Sequence, residues 1–330
     1  MLGAGSWGTS LAVHLAGLGH EARLWARDAS LAADMDARRS NPTYLPDVTF
    51  PESLRPTEDL VWALSGARYV VLAVPSHGLR AVLHATAPHL PAGAIIVSAV
   101  KGIETDTLQR MSEVIDDETG RTHAVVVLSG PSFAAEVARG LPTALVAASS
   151  HAAAVRAVQH EFRSAYFRLY GSDDVIGVEI GAALKNIIAI AAGVVESAEL
   201  GHNAMAALIT RGLAEISRLS CALGGKRETL AGLSGLGDLV LTCTGQLSRN
   251  RHVGIELGKG RSLDAILSST RMVAEGVNTT TAALALADRH GVELPIAREM
   301  RAVLEGRQSA LDAVGRLMLR RQRGEADGER

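Results

Sequence analysis

Residues 3–10, Gly-Ala-Gly-Ser-Trp-Gly-Thr-Ser, restrict the fold of this chain more than any other stretch. A Gly-x-Gly-x-x-Gly turn suits a strand feeding a helix. The first glycine makes the tight turn, the second lets backbone approach a pyrophosphate, and the third lets the helix pack on the sheet. Here those positions are Gly3, Gly5 and Gly8. The series Leu11, Val13, Leu15, Ala16 and Leu18 then supplies an amphipathic helix whose N-terminal amides and dipole attract an anion. A buried strand should precede the turn, and strands run about 3 to 10 residues, yet only Met1 and Leu2 stand before Gly3. In a doubly wound sheet of order 3-2-1-4-5-6 that strand is central. With the first strand largely missing, a gap between its neighbours and an unsupported turn are expected, as is a handful of apolar residues encoded upstream of Met1.

The motif alone is weak, and its confirming context is alternation of strand and helix. Residues 21–25 carry a short strand pattern, and 28–39 a polar helix. Residues 69–74 (YVVLAV) and 94–99 (AIIVSA) are continuous apolar runs, as in strands covered on both faces, and 125–128 and 143–147 repeat the pattern. Helical stretches near 79–87 and 108–115 lie between, and the alternation predicts a parallel, doubly wound Rossmann sheet. From about residue 173 the pattern changes to apolar helices over 175–199, 204–223, 250–258, 276–290 and 293–304. The expected organisation is a dinucleotide-binding α/β domain over 1–172, an all-helical substrate domain over 173–320, and a charged, flexible tail over 321–330.

Composition narrows the partners. A net charge of −2 gives no nucleic-acid footprint, so any anionic ligand must be met by local basic groups. Only 3% of residues are aromatic, which suits helices packed through small side chains. Cys221 and Cys243 are too few for a disulfide framework and lack metal-ligand spacing, so a reducing cytoplasm is the simplest setting. The histidines show no paired metal spacing, and no metal is expected. The longest apolar run, 180–195, is interrupted by Lys185 and Asn186 and falls short of the about 20 residues that span a bilayer. It reads as a buried helix, with no integral membrane segment. The oligomeric state stays open, a homodimer among the options.

Several polar residues stand where chemistry would be placed. After the second strand, Arg27 could meet a 2′-phosphate and Asp28 a 2′-hydroxyl, which favours NADP while leaving NAD open; a solvated arginine and a helix N-cap are the bland alternatives. Lys101 and Gly102 close one strand, an arrangement that is often merely solvated. Pro75-Ser76 closes another, and Gly130-Pro-Ser-Phe-Ala134 a third, with Ser132 able to cap a helix. Lys185 interrupts an apolar helix, where it must snorkel or find partners. Desolvation would make it a usable general acid or base. Asp238 lies in a glycine-rich turn, and Arg249 at a helix start can grip phosphate, although each could be a plain cap or surface group.

Taken together, GAGSWGT at 3–9, VKG at 100–102, SGPSFA at 129–134, ALKN at 183–186, ALITRGL at 207–213, GLGDL at 235–239, SRN at 248–250 and AEG at 274–276 resemble the bacterial NAD(P)-dependent glycerol-3-phosphate dehydrogenases, in order and spacing over nearly the whole chain. One departure is His202, where the family commonly has an acidic residue. The resemblance implies a helical second domain of the 6-phosphogluconate dehydrogenase-like type and reduction of dihydroxyacetone phosphate to sn-glycerol 3-phosphate for phospholipid synthesis.

By the same resemblance Lys185 exchanges the proton, Asp238 orients it and Lys101 helps polarise the carbonyl. Gly130, Ser132, Ser248, Arg249 and Asn250 would hold substrate together with Lys101, Lys185 and Asp238. Beside the three glycines, Ser6, Trp7, Arg27, Lys101, Ala134, Arg249, Val273 and Glu275 would contact the cofactor. Two competing readings are a related dehydrogenase acting on another hydroxy acid and a regulator that binds NADPH without turnover. Arg249 argues against the first, and the Lys185 and Asp238 pair against the second.

Overall fold

In the computed structural model, which describes residues 1–269, 273–322 and 324–325, the N-terminal half is a mixed sheet flanked by helices. Helix α1 (Ser6–Gly17) leads to β1 (Ala22–Trp25) and α2 (Ala29–Arg38). A small antiparallel pair, β2 (Ser40–Asn41) and β3 (Leu45–Thr49), precedes β4 (Leu54–Thr57), α3 (Leu60–Leu64), β5 (Tyr69–Leu72), α4 (Leu79–Thr86) and β6 (Ile95–Ser98). Then come α5 (Met111–Thr119), β7 (Val125–Ser129), α6 (Ala134–Ala138), β8 (Thr143–Ala148), α7 (Ala152–Phe162) and β9 (Phe167–Ser172). Strands β5 to β9 pair in chain order, and β4 pairs with β1.

Period-two alternation sorts the strand side chains onto two faces. Val71, Val97, Val126 and Leu128 pack with Leu11, Leu15 and Phe162 on one side. Val70, Leu72 and Ile96 pack with Leu79, Leu83 and Ile115 on the other. Two expectations need correction. The 143–147 run is a strand, but β8 lies antiparallel to β7, and β9, unforeseen, runs parallel to β8. A continuous apolar run records burial on both faces and carries no strand direction. The helix foreseen from 108 begins at Met111, because Leu108 sits in a turn with φ of 64°.

The expected gap in the middle of the sheet does not open. Leu2 bridges Trp25 of β1 and Leu72 of β5 in parallel, its N–H donating to the Val71 carbonyl at 2.7 Å and its carbonyl accepting from Ala73 N at 2.8 Å. The glycine-rich turn is therefore supported. Gly3 has φ of 110°, and a Cβ there would lie 2.7 Å from the Ala73 carbonyl oxygen, while a Cβ on Gly8 would overlap the Gly3 carbonyl. From outside, buried Asn41 donates to the Ala4 carbonyl and to Thr9 Oγ1, both at 2.8 Å.

The second half is helical. Its axis is α8 (Val175–Ser197), followed by α9 (Gly201–Ala222), α10 (Arg227–Ala231), α11 (Asp238–Thr244), α12 (Arg249–Gly258), α13 (Leu263–Ser268), α14 (Glu275–Arg289), α15 (Pro295–Leu304) and α16 (Ala310–Met318). Helix α8 is long and apolar enough to cross a membrane. Yet 89% of its most apolar window is buried within the protein, packed by α9, α11, α12 and α14, as expected of a core helix that is apolar all round.

Glycines let α8 and α12 meet backbone to backbone. A Cβ on Gly193 would overlap the Arg251 carbonyl, and one on Gly254 the Ile190 carbonyl. At its other end α8 is tied to the sheet domain through buried Glu179, which accepts from Ser112 N at 2.7 Å and from Arg110 Nη1 at 2.5 Å. Both restraints fix the rotation of the helix that carries Lys185. The tail residues 323 and 326–330 lie outside the described residues.

Candidate active site

Three turns at the carboxyl edge of the sheet face the helical domain, those after β5, β6 and β7. Lys101, in the turn after β6, is the first to cross, with its Nζ 3.0 Å from Asp238 Oδ2. Lys185, midway along α8, ion-pairs with the other oxygen, Oδ1. Asp238 is 1% exposed and Lys185 5%, while the Lys101 side chain is 19% exposed and so opens toward the cleft. The alternative of a merely solvated Lys-Gly turn is thereby removed.

Thr242 completes the cluster, its Oγ1 accepting from Lys185 Nζ at 3.0 Å and donating to the Asp238 carbonyl at 2.6 Å. An ammonium has three donors, and Asp238 and Thr242 take two of those of Lys185. Thr242 was not singled out from the sequence, where Asp238 was expected in a glycine-rich turn. The chain instead forms a π-helical turn over Leu233–Gly237 that runs into α11, placing Thr242 one turn beyond Asp238 on the same face.

Burial governs the electrostatics. Desolvation pulls the Lys185 ammonium down to about 7; Asp238 opposes the shift and Lys101 reinforces it. Burial alone would raise the Asp238 carboxyl, but the two lysines hold it below the ordinary carboxylate range. The result is an amine poised near neutrality beside a permanent anion, the arrangement a proton-exchanging group requires. Cys243, nearby on α11, has its burial-raised thiol at about 12 and offers no thiolate nucleophile at neutral pH.

A second group of residues gathers around the starts of α12 and α14. Ser248 caps α12, its Oγ accepting from Arg251 N at 3.3 Å, and Arg249 is the first helical residue, with its side chain reaching solvent. Partial desolvation of the guanidinium lowers the Arg249 pKa, opposed by Glu275 and by Tyr44 from the β2–β3 turn, which sequence reasoning did not single out. Asn250 is buried; its Nδ2 donates to Asn186 Oδ1 at 3.0 Å and its Oδ1 accepts from Gly276 N at 2.9 Å. Glu275 accepts from Ser76 N at 3.0 Å and from Ser76 Oγ at 2.5 Å.

After β7, Gly130 adopts φ of 135°, and Ser132 Oγ donates to the Gly130 carbonyl at 3.0 Å. Ser132 therefore braces this turn and does not cap α6, whose N-cap is Phe133 without a side-chain bond. The Ala134 carbonyl accepts from Ser10 Oγ at 2.8 Å, joining α6 to α1. Val273 is half-buried just before α14. Arg27 is exposed past the end of β1, and Asp28 caps α2, accepting from Ser30 N at 2.9 Å.

The start of α1 fits a dinucleotide. Its N-cap, Gly5, makes no side-chain cap bond, and a Cβ built there meets nothing within 4 Å, so the first-turn amides border open space. Trp7 Nε1 is buried without a hydrogen-bond partner. No cluster of three or more His, Cys, Asp or Glu side chains that could hold a metal occurs among the described residues.

Residues 1–155 match the profile of the NAD-dependent glycerol-3-phosphate dehydrogenase N-terminus, and residues 174–315 match that of the C-terminus. The chain belongs to this family. Among its relatives, the glycerol-3-phosphate dehydrogenase (NAD(P)+) of Koribacter versatilis is 53% identical over 97% of this chain and 96% of its own. The enzyme of the same name from Syntrophotalea carbinolica is 51% identical, covering 99% of each. The crystal structure of glycerol-3-phosphate dehydrogenase from Coxiella burnetii superposes with a TM-score of 0.93 at 40% identity, covering 97% of this chain and 98% of that one. This family member is accordingly an NAD(P)-dependent oxidoreductase with a Rossmann domain followed by a helical domain.

Proposed function

We propose that the chain reduces dihydroxyacetone phosphate to sn-glycerol 3-phosphate, a precursor of glycerophospholipids, in the cytoplasm. The observation that carries this reading is the buried Lys185–Asp238–Lys101 cluster at the sheet's carboxyl edge. In this assignment residues 1–172 hold the cofactor and 173–320 complete the substrate site. The first-turn amides of α1, with Gly3, Gly5, Ser6, Trp7 and Gly8, would hold the pyrophosphate, and Ala134, Val273 and Glu275 would contact the cofactor elsewhere along its length. Arg27 would meet a 2′-phosphate, and because the Asp28 carboxylate already caps α2, NADPH is favoured over NADH. Bound NAD(P)H supplies a hydride to C2 of the substrate.

The remaining chemistry belongs to side chains. Negative charge develops on the carbonyl oxygen, so the Lys185 ammonium donates its proton there while Lys101 stabilises the charge. Asp238 holds both amines in place. Arg249 and Asn250, with Ser248, Gly130 and Ser132, would hold the phosphate end, fixing the reacting carbon without taking part in proton transfer.

The direct test is loss of NADPH absorbance on adding dihydroxyacetone phosphate, run also with NADH. No substrate-dependent loss with either cofactor would defeat the reading. Arg249→Ala should raise KM for dihydroxyacetone phosphate at least about tenfold, the loss of a charge-assisted contact; an unchanged KM would remove Arg249 from phosphate binding. The lowered Lys185 pKa sets the direction of the pH response. Reduction needs the ammonium, so its kcat should fall as pH rises through about 7, whereas oxidation of glycerol 3-phosphate needs the free amine and should rise over the same interval. Parallel limbs in both directions would exclude Lys185 as the proton carrier.

A further inference from the structure

We propose that Ser76 is a positioning residue that sets the width of the cofactor cleft, by clasping Glu275 of the helical domain to the sheet edge. The inference rests on the cofactor assignment above and extends it to a residue that touches neither reactant in that scheme. Ser76 follows Pro75 in the turn after β5 and is 5% exposed. Both of its donors go to one carboxylate, the backbone N–H to Glu275 Oε1 and the hydroxyl to Oε2. Two donors on two oxygens fix the carboxylate plane as well as its distance. Glu275 is the first residue of α14, where the helix dipole favours its charge.

The surroundings of Ser76 give the clasp its reach. Upstream, the same turn begins at Ala73, whose N–H donates to the Leu2 carbonyl and whose carbonyl lies against Gly3 of the fingerprint. Alongside, a Cβ on Gly102 would lie 2.5 Å from Ser76 Cβ, so Ser76 presses on the turn that carries Lys101. Beyond Glu275, the Gly276 N–H bonds to Asn250, and Asn250 bonds to Asn186, the neighbour of Lys185 on α8. A continuous series of contacts thus runs from the glycine-rich turn through Ser76 and α14 to the helix of the proton donor. Ser76 is the point where that series passes from one domain to the other.

The test uses the full-length protein, with binding and exchange followed without substrate and kcat measured separately with dihydroxyacetone phosphate. NADPH affinity is followed by fluorescence titration, and amide exchange at 275–280 is followed in the ligand-free protein. Ser76→Ala keeps the N–H and removes the hydroxyl. It should raise the Kd for NADPH fivefold or more and speed exchange at 275–280, with kcat at saturating NADPH within twofold of the parent and Tm little changed. Gly102→Ala perturbs the same contact from the other side and should weaken NADPH binding in the same direction, which keeps the proposal testable if Ser76→Ala folds poorly. A Kd within twofold of the parent in both variants, or a fall in Tm with no change in Kd, would overturn it. A parent protein that binds NADPH but does not reduce dihydroxyacetone phosphate would defeat the reaction assigned above and leave this inference intact.

Discussion

Lys185→Met is expected to lower kcat for dihydroxyacetone phosphate reduction by about a thousandfold, while NADPH affinity stays within about twofold of the parent. Methionine refills most of the space of the lysine stem, so α8 keeps its packing, and the loss is confined to the ammonium. A thousandfold change corresponds to about 4 kcal/mol of barrier, which a correctly placed proton donor can supply together with its charge. The Lys101 amine remains on Asp238 Oδ2 and could still polarise the substrate oxygen, which bounds the loss from above. The measurement is single-turnover NADPH oxidation, which isolates chemistry from product release. A kcat within about fivefold of the parent would take the proton-transfer role away from Lys185.

The fold was legible where apolar runs coincided with glycine and proline punctuation. Residues 69–74 and 94–99 are strands, and the long apolar segments from 175 onward are helices. What escaped was information that a local pattern does not carry. The direction of β8 depends on the path of the chain before it, and β9 alternates buried Phe167 and Leu169 with exposed Arg168 and Tyr170 too briefly to stand out.

At the site, the family resemblance named Lys185, Asp238 and Lys101. The physical reason they act together lies in contacts across 57 and 137 positions of sequence, from Lys185 to Thr242 and from Lys101 to Asp238. Gly235 belongs to the glycine-rich stretch that reads as a turn around Asp238. In this chain it relieves crowding, since a Cβ there would collide with the Leu230 backbone, and it does not end a helix. Ser132 misled as a candidate cap, because a serine before a helix is a good cap only when the first-turn amides point at it.

Asp238→Asn should be the most damaging isosteric change in the protein, and its signature should differ from that of Lys185→Met. The amide preserves volume and leaves the Asp238 backbone carbonyl to accept from Thr242, but the anion that holds Lys185 charged is gone. Desolvation and repulsion from Lys101 then act unopposed, and the Lys185 pKa falls below its present value of about 7. Reduction at pH 7 should lose about two or more orders of magnitude, since the proton donor is absent and the amines lose their fixed geometry. The loss should be smaller at pH 6 than at pH 8. Stability carries an independent signature. Where a folded-state lysine pKa lies below its unfolded value, unfolding takes up a proton, so stability falls as pH falls until the folded pKa is passed. In the parent this decline from Lys185 ends near pH 7. In Asp238→Asn it should continue below pH 7, at a limiting slope of about 1.4 kcal/mol per pH unit. Urea unfolding at pH 7.0 and 5.5 would therefore show the variant losing up to about 2 kcal/mol more than the parent over that interval. Equal losses in the two proteins would mean that Asp238 does not control the charge on Lys185.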